Sequence, residues 1–389
     1  MTVAGMKIVV IGAGIGGLAV ARALALRGAD VVVLEQAEAI REVGAGLQIS
    51  PNGFAVLRAL GLGEAVADVS VRAQAVSLHD YRRGQVLQLD LTRLASRDYY
   101  FAHRADLIDV LARGARAAGV RIRLLQKAET VTPGLRPRVD LANGASVDAD
   151  LVVGADGLNS RVRPVLNGSS APYFTQQVAW RALVPNTSGR GPEARVHMGP
   201  LRHVVSYPVR GGTMLNIVAV QERAAWTTES WSQRDDPMAV QAAFADFCPE
   251  VQEMLAGIET VNLWGLFRHP VAQVWHRDGA VLLGDAAHPT LPFLAQGASM
   301  ALEDAWALAA ALATGPDRDT ALQAYQARRE GRVRRVIAAA NGNARKYHLS
   351  FPPLRWAAHS ALRLGGAVAP VRMMRQFDWL YGYDVTCDE

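Results

Sequence analysis

The chain has 389 residues, which at roughly 100–200 residues per domain suggests two or three folding units. Half of the residues are hydrophobic and a fifth are charged, a balance that excludes wholesale disorder. The longest apolar run, Ala305 to Ala313, is far shorter than the roughly 20 residues that cross a bilayer, so we expect no stable membrane insertion.

The formal net charge is +5, and the basic residues are scattered along the chain. One dense block, Arg328 to Arg335, lies in a helical pattern and is interpreted as a solvated helix face, with a polyanion site as the alternative. We therefore expect no nucleic-acid partner. Cys248 and Cys387 have neither disulfide-framework nor zinc-site spacing, which predicts a cytoplasmic protein without a metal site.

The N-terminal segment reads as one strand–helix–strand unit. Lys7 to Ile11 is a short apolar run typical of a buried parallel strand. A glycine-rich segment leads into a predicted helix from Leu18 to Arg27, with Gly28 as its C-cap. A second buried strand, Val31 to Leu34, completes the unit.

Two further strand-and-turn units lie far downstream. The first is Asp150 to Gly157 and the second is Gly279 to Asp285. An alanine-rich helix is predicted from about Gly297 to Ala313, and the remaining chain reads as helical until Pro352 and Pro353 interrupt it.

The middle of the chain changes character. Segments 203–209 and 214–220 have strand composition and are separated by a glycine turn. The predicted fold class is α/β: a Rossmann-like domain with a parallel sheet and helices, an inserted and mostly antiparallel β-sheet substrate domain, and a C-terminal helical region. The predicted ranges are 1–171, 172–268 and 269–389.

The glycine-rich segment carries the pattern G-x-G-x-x-G. Gly12 allows a tight turn, Gly14 lets a pyrophosphate approach the backbone, and Gly17 permits close helix–strand packing. The following helix N-terminus offers free N–H groups to phosphates. Glu35, at the end of the second strand, is placed to accept a hydrogen bond from a ribose hydroxyl. The sequence predicts a dinucleotide site; a glycine turn without ligand is the alternative.

The two downstream turns resemble motifs of a known family. Residues 156–163 resemble the D-G-x-x-S-x-x-R motif of the group A, single-component FAD-dependent aromatic monooxygenases. Residues 284–289 resemble the same family's G-D motif. The resemblance implies that the dinucleotide is FAD, that the first and third ranges form one FAD-binding domain, and that Asp156 and Asp285 contact FAD, Asp285 at the ribityl chain.

Other cofactor residues follow from the same resemblance. Arg104 lies in a segment similar to the family's R-x-D-L motif, and backbone amides at Gly297 and Ala298 would face the flavin. The remaining expected cofactor contacts are Gln36, Arg41 and Gln48. The position of Gln48 holds a histidine in 6-hydroxynicotinate 3-monooxygenases, which puts that substrate in doubt. His288 is interpreted as structural, with a role as a base as the alternative.

The resemblance implies an enzyme similar to salicylate hydroxylase, 3-hydroxybenzoate 6-hydroxylase and 6-hydroxynicotinate 3-monooxygenase. Such an enzyme consumes NADH or NADPH and O2 and hydroxylates a small aromatic substrate through a flavin C4a-hydroperoxide. The sequence has no second glycine fingerprint that would form a pocket for the nicotinamide nucleotide. A related enzyme acting on a non-aromatic, polyketide or antibiotic substrate, and a non-catalytic flavin-binding protein, are the alternatives. A monomer or homodimer is expected.

The predicted catalytic residues lie on one strand. In Arg202 to Pro208, the alternation of a strand puts His203, Val205 and Tyr207 on one face. Imidazole suits removal of a phenol proton, and the tyrosine hydroxyl would relay that proton or orient a carboxylate. The pair matches pocket residues of 6-hydroxynicotinate hydroxylases by resemblance. A solvent-facing strand is the alternative. Further pocket residues are expected at Pro292 and Phe293.

Overall fold

The computed structural model describes residues 3–40, 45–225 and 233–387. Within these ranges the strands, numbered in chain order, are β1 Lys7–Ile11, β2 Asp30–Leu34, β3 Gly46–Ile49, β4 Ser70–Arg72, β5 Ala75–Asp80, β6 Gly84–Asp90, β7 Tyr100–His103, β8 Arg121–Arg123, β9 Ala128–Thr132, β10 Arg138–Leu141, β11 Ser146–Asp148, β12 Leu151–Gly154, β13 Tyr173–Pro185, β14 Glu193–Gly199, β15 Arg202–Val209, β16 Met214–Glu222, β17 Gln233–Asp235, β18 Val261–Arg268, β19 His276–Arg277 and β20 Ala280–Leu282. The helices are α1 Ile15–Ala25, α2 Pro51–Ala59, α3 Gly63–Asp68, α4 Arg104–Ala117, α5 Val162–Asn167, α6 Pro237–Ala243, α7 Pro249–Ala256, α8 Gly297–Thr314, α9 Arg318–Tyr347, α10 Pro352–Val368, α11 Pro370–Arg375 and α12 Asp378–Tyr381.

A six-stranded sheet in the order β19-β20-β12-β1-β2-β8 forms the first layer. Its neighbouring strands are parallel except β19 and β20. The apolar runs of β1, β2 and β12 are buried, as expected for parallel strands covered on both faces. Helix α1 packs against α4 and α8. This confirms the predicted strand–helix–strand unit, although α1 begins at Ile15 rather than Leu18 and ends at Ala25 rather than Arg27.

An eight-stranded sheet in the order β17-β18-β13-β16-β15-β14-β5-β6 forms the second layer. It is antiparallel apart from the parallel pair β14 and β5, which confirms the predicted mostly antiparallel character. Strands β5 and β6 lie outside the predicted range 172–268, so that range does not supply the whole sheet. The division of the chain into 1–171, 172–268 and 269–389 stays a prediction.

The C-terminal region is helical, and its helices are interrupted directly before the proline pair, as predicted. α9 ends at Tyr347, and the chain then resumes a helix, α10, with Pro352 as its first residue. A proline at the first position of a helix lacks only an N–H that has no intrahelical partner anyway, so it starts a helix readily. Among the described helices, none has the length and hydropathy needed to span a bilayer.

The basic block in α9 is only in part the solvated face that the sequence predicts. The side chain of Arg329 is fully buried and forms ion pairs with Glu303 (2.6 Å) and Asp304 (2.7 Å), two neighbouring and fully buried residues of α8. Arg332 adds a second ion pair with Glu303, at 2.8 Å. Helical periodicity turns these two arginines toward α8. Only other members of the block, such as Arg334, face solvent.

Asp304 also fixes the turn that follows β20. Its Oδ2 atom accepts hydrogen bonds from the backbone N–H of Gly284 (3.0 Å) and from His288 Nε2 (2.6 Å). Burial raises the pKa of Asp304, but the facing charges of His288 and Arg329 outweigh burial and hold that pKa at about 2. The ring of His288 packs against the Trp275 ring, and its structural role stays a prediction.

Replacing Arg329 with methionine tests this network. The variant leaves two buried carboxylates without their main cation, and removing one partner of a buried ion pair costs about 3–5 kcal/mol. We expect chemical denaturation to show a loss of this size in the free energy of unfolding. Arg334→Met is the control: it breaks an exposed pair with Glu330 on the same helix, and such pairs contribute only about 0.3–0.5 kcal/mol. Equal losses in the two variants would contradict the role of Arg329.

Candidate active site

A cavity of about 1200 Å³ lies between the two sheets. The carboxyl ends of β1, β2, β12 and β20 open into it from one side, as is usual for ligand sites of parallel sheets. The inner face of β15 and β16 forms the opposite wall. The cavity is lined by most of the residues predicted to bind cofactor or substrate: Gly12, Gly14, Glu35, Gln36, Gln48, Arg104, Asp156, His203, Tyr207, Asp285, Pro292, Phe293, Gly297 and Ala298. Arg41 lies outside the described residues.

The three glycines of the first motif have different surroundings. A Cβ atom at Gly12 would lie 2.5 Å from the carbonyl oxygen of Ala155, and one at Gly17 would lie 2.0 Å from that of Gly12. These two glycines are needed for packing within the protein. A Cβ atom at Gly14 would meet no protein atom within 4 Å, because Gly14 faces the cavity. The loop therefore leaves room for a bound pyrophosphate at Gly14, next to the N-terminus of α1.

Glu35 stands where β2 ends and holds the glycine loop. Its two carboxylate oxygens accept hydrogen bonds from the backbone N–H groups of Ala13 (2.8 Å) and Ala37 (2.9 Å). A carboxylate has further lone pairs, so it can still accept from a ribose hydroxyl. Gln36 lies next to it on the cavity wall. Gln48, deeper in the cavity, accepts a hydrogen bond from the Tyr99 hydroxyl at 2.7 Å.

The two acidic turns present their carboxylates to the cavity. Asp156 accepts a hydrogen bond from the backbone N–H of Arg161 at 2.7 Å, while its buried Oδ1 atom has no hydrogen-bond partner among the described residues. Burial raises the pKa of Asp156. Asp285 is exposed to the cavity. Burial raises the pKa of Asp285, and the charges of His288 and Arg104 oppose this shift.

Arg104 and α8 complete the cofactor side of the cavity. Arg104 is the first residue of α4; burial lowers its pKa, and Asp285 opposes this shift. Gly297 and Ala298 begin α8, whose first turn has no side-chain cap. Its backbone N–H groups can therefore serve a ligand. The open Gly14 loop, the unpaired Asp156 oxygen and the cavity-facing Asp285 fit the phosphates and hydroxyls of FAD.

His203 and Tyr207 lie in the opposite wall, on β15, with Val205 between them. His203 Nδ1 is 2.7 Å from Nε2 of His348, and its ring meets Phe293 with centroids 5.4 Å apart. Burial, with a smaller effect of His348, lowers the pKa of His203 well below its usual value. Burial raises the pKa of Tyr207, because it disfavours the charged phenolate form. Neither side chain is on a solvent face; their catalytic roles stay a prediction.

Several polar residues in and around the cavity were not predicted from the sequence, among them Arg181, Lys346 and His348. Arg181 on β13 lines the cavity and lies over the Trp264 ring, 4.1 Å from its centroid. Burial, together with the charge of Arg104, lowers the pKa of Arg181 to about 10, so it stays cationic at neutral pH. Because side chains alternate along a strand, Arg181 points to the sheet face opposite to that of its neighbour Trp180, and this alternation could have predicted its position. His348 had no such signal, because it lies 145 positions from His203.

Among the described residues, one cluster of potential metal ligands lies away from the cavity. His197, Cys248 and Glu250 bring one ligand atom each within 4.8 Å of one another. Arg190 and Arg195 both form ion pairs with Glu250, and their charge opposes a bound cation there. The predicted absence of a metal site stays a prediction.

Replacing a glycine of this loop with alanine is expected to have different effects at Gly14 and at Gly17. Gly14→Ala leaves the protein packing unchanged, so we expect the apoprotein to keep its melting temperature while the purified protein loses most of its FAD. Gly17→Ala forces a methyl group onto a backbone oxygen, and such overpacking costs about 1–3 kcal/mol or more, so the apoprotein itself melts lower. Flavin absorbance measures the FAD content and thermal melts measure the stability; full FAD content in Gly14→Ala would contradict a pyrophosphate site at Gly14.

Comparison with known proteins identifies the family. The family model described as "FAD binding domain" matches residues 5–340. The chain is 36% identical to 3-amino-4-hydroxybenzoate 2-monooxygenase of Streptomyces cremeus, over 90% of this chain and 89% of that protein. It is 33% identical to 3-hydroxybenzoate 6-hydroxylase of Polaromonas naphthalenivorans, over 98% and 97% of the two chains.

Solved structures agree with this result. The structure of Klebsiella pneumoniae HpxO complexed with FAD and uric acid has a TM-score of 0.84 and 27% identity, covering 95% of this chain and 96% of that one. A salicylate hydroxylase substrate complex, at 22% identity, shares the fold with a TM-score of 0.82 over 99% and 97% of the chains. The chain therefore belongs to the FAD binding domain family and is an FAD-dependent monooxygenase of the aromatic hydroxylase kind.

Proposed function

We propose that this enzyme uses NAD(P)H and O2 to hydroxylate a small aromatic acid that carries a phenolic hydroxyl group. Both relatives named above have a hydroxybenzoate in their names. The observation that carries the proposal is the position of His203, a buried imidazole in the cavity wall, on the same wall as Val205 and Val218 and beside Phe293. A buried imidazole in the cavity wall can accept the proton of a phenolic hydroxyl group on a bound ring.

Apolar and aromatic side chains surround His203 in the cavity wall. Val205 and Val218 form an apolar floor, and the rings of Phe293 and Tyr207 border it. His203 Nδ1 is engaged by His348, so Nε2 is the nitrogen available to a ligand. Accepting the phenol proton at Nε2 would leave a phenolate, whose ring is rich in electrons and reacts readily with an electrophilic oxygen.

Cations line both sides of the cavity. Its carboxylates, Glu35, Asp156 and Asp285, lie on the cofactor side together with Arg104, whereas Arg181 lies on β13 in the second sheet and Lys346 on α9. A phenol has a pKa near ~10, as tyrosine does, and nearby positive charge stabilises its ionised form. The same cations attract a carboxylate. Arg181 is the proposed partner of a substrate carboxylate, because it lies in the wall formed by the second sheet and its guanidinium carbon is 4.1 Å from the centroid of the Trp264 ring.

The overall reaction consumes one NAD(P)H, one O2 and one proton. Bound FAD supplies the redox chemistry, by which one oxygen atom enters a ring C–H bond and the other leaves as water. The chain's own residues bind and orient the ring, take up the phenol proton, and exclude bulk water through the apolar wall. Either nicotinamide nucleotide, and either a monomer or a homodimer, is compatible with this proposal.

A panel of ligands tests the substrate class. We expect 3-hydroxybenzoate, 3-amino-4-hydroxybenzoate or salicylate to accelerate NAD(P)H oxidation and to yield a product heavier by one oxygen atom, measured by mass spectrometry. Benzoate, which lacks the hydroxyl group, serves as the matched control and is not hydroxylated. Hydroxylation of uric acid or of a non-aromatic compound, with no product from any phenolic acid, would contradict the proposal.

Replacing His203 with alanine tests its role with whichever phenolic acid is hydroxylated. We expect the rate of hydroxylation to fall roughly 100-fold, the low end of what a positioned acid or base contributes. NAD(P)H oxidation continues, and the reduced oxygen leaves as hydrogen peroxide, which a peroxidase assay measures. His276→Ala, at a half-buried histidine of β19, is the control and keeps the wild-type yield. A wild-type product yield in His203→Ala would place the base elsewhere.

A further inference from the structure

Hydrogen-bonding side chains continue from His203 away from the cavity. Its Nδ1 atom is 2.7 Å from His348 Nε2, and His348 Nδ1 is 2.7 Å from Oε1 of Glu222. The exposed fraction is 1% for His203 and 2% for the His348 side chain, but 37% for the Glu222 side chain. Three hydrogen-bonding groups therefore connect the substrate pocket to bulk solvent.

We infer that His203, His348 and Glu222 form a proton relay that carries the phenol proton from the pocket to solvent. The inference rests on the proposed function, since it needs a ligand with an ionisable hydroxyl group. His348 and Glu222 do not touch the ligand; they act through His203. Their part is to remove the proton, whereas the cations of the cavity stabilise the phenolate that remains.

The hydrogen bonds set the direction of the relay. Glu222 is an acceptor when ionised, so His348 donates from Nδ1 and its Nε2 carries the lone pair. His203 then donates from Nδ1 to His348, which leaves the Nε2 lone pair of His203 facing the ligand. When Nε2 takes the phenol proton, Nδ1 passes its own to His348 Nε2, and His348 Nδ1 passes a third to Glu222, which releases it to water.

The relay is reversible, which closes the cycle. Each transfer moves one proton by one group and leaves both imidazoles neutral but in the opposite tautomer. When the product phenol leaves the pocket, a proton returns from solvent along the same path and restores the first tautomers. No additional acid or base is required, and protons balance over one turnover.

The surroundings keep the rings aligned and uncharged. Tyr347 of α9 packs on the His203 ring with centroids 5.3 Å apart, and Phe293 borders the same ring. The backbone oxygen of His348 accepts a hydrogen bond from Leu201 N at 3.2 Å, which anchors the end of α9 to the turn before β15. Burial lowers the pKa of both imidazoles, and for His348 the charge of Glu222 opposes it. A proton is therefore passed on instead of resting on either ring.

Proton release on ligand binding tests the relay without turnover. The FAD-loaded enzyme is mixed with 3-hydroxybenzoate in a stopped-flow instrument, in weakly buffered solution with a pH-indicator dye, and the rate of proton release is recorded. We expect Glu222→Gln and His348→Gln to slow this release about tenfold or more, since positioned proton-transfer groups contribute ~10²–10⁴-fold. Glu222→Asp restores most of the rate, and added formate speeds release in Glu222→Ala.

Glu250→Gln is the matched control. Glu250 is likewise a half-exposed carboxylate beside a buried histidine, at 3.9 Å from His197, but His197 is not part of the cavity lining. We expect wild-type proton release in this variant. FAD content and melting temperature show whether each variant is folded.

The outcomes separate the relay from the proposed function. A hydroxylated product with proton release as fast as wild type in both Glu222→Gln and His348→Gln overturns the relay alone. Slowed release in these two variants, with formate rescue and a normal Glu250→Gln control, supports it. Failure of the proposed function is seen independently, as the absence of any hydroxylated phenolic acid from the wild-type enzyme.

Discussion

Two adjacent carboxylates of α8, Glu303 and Asp304, are fully buried, and the fold tolerates them only because Arg329, Arg332 and His288 surround them. An unpaired buried charge would cost several kcal/mol, so this group of charges constrains the relative positions of the elements that carry it. It joins α8 to α9 and to the turn after β20. Through Asn52, which donates to Glu303 at 2.6 Å, it also joins α2.

The site depends on this constraint. Asp304 holds the backbone N–H of Gly284, so Asp285 in the next position is turned toward the cavity. Helix α8 begins at Gly297 beside that turn, and its first two residues, Gly297 and Ala298, line the cavity. Charges that are rigidly held in the core thus position the cofactor side, whereas the sheet wall of β15 and β16 positions the substrate side.

Local features were predictable because they depend on short segments. The glycine loop, the buried strands β1 and β2, and the acidic turns follow from backbone sterics and short apolar runs, and the structure has each of them. Strand alternation also put His203 and Tyr207 on one face, and both line the cavity. The interpretation of the basic block failed at Arg329, because periodicity shows which residues share a helix face but not what that face meets.

The nucleotide-binding unit, its glycine loop and the strand face shared by His203 and Tyr207 follow from the sequence, since neighbours in the chain fix these conformations. Which distant groups meet depends on the tertiary structure. His348 reaches His203 across 145 positions, and Glu222 reaches His348 across 126. Such pairings depend on how α9 packs against the second sheet, and a long-range contact of this kind leaves no periodic signal in the sequence.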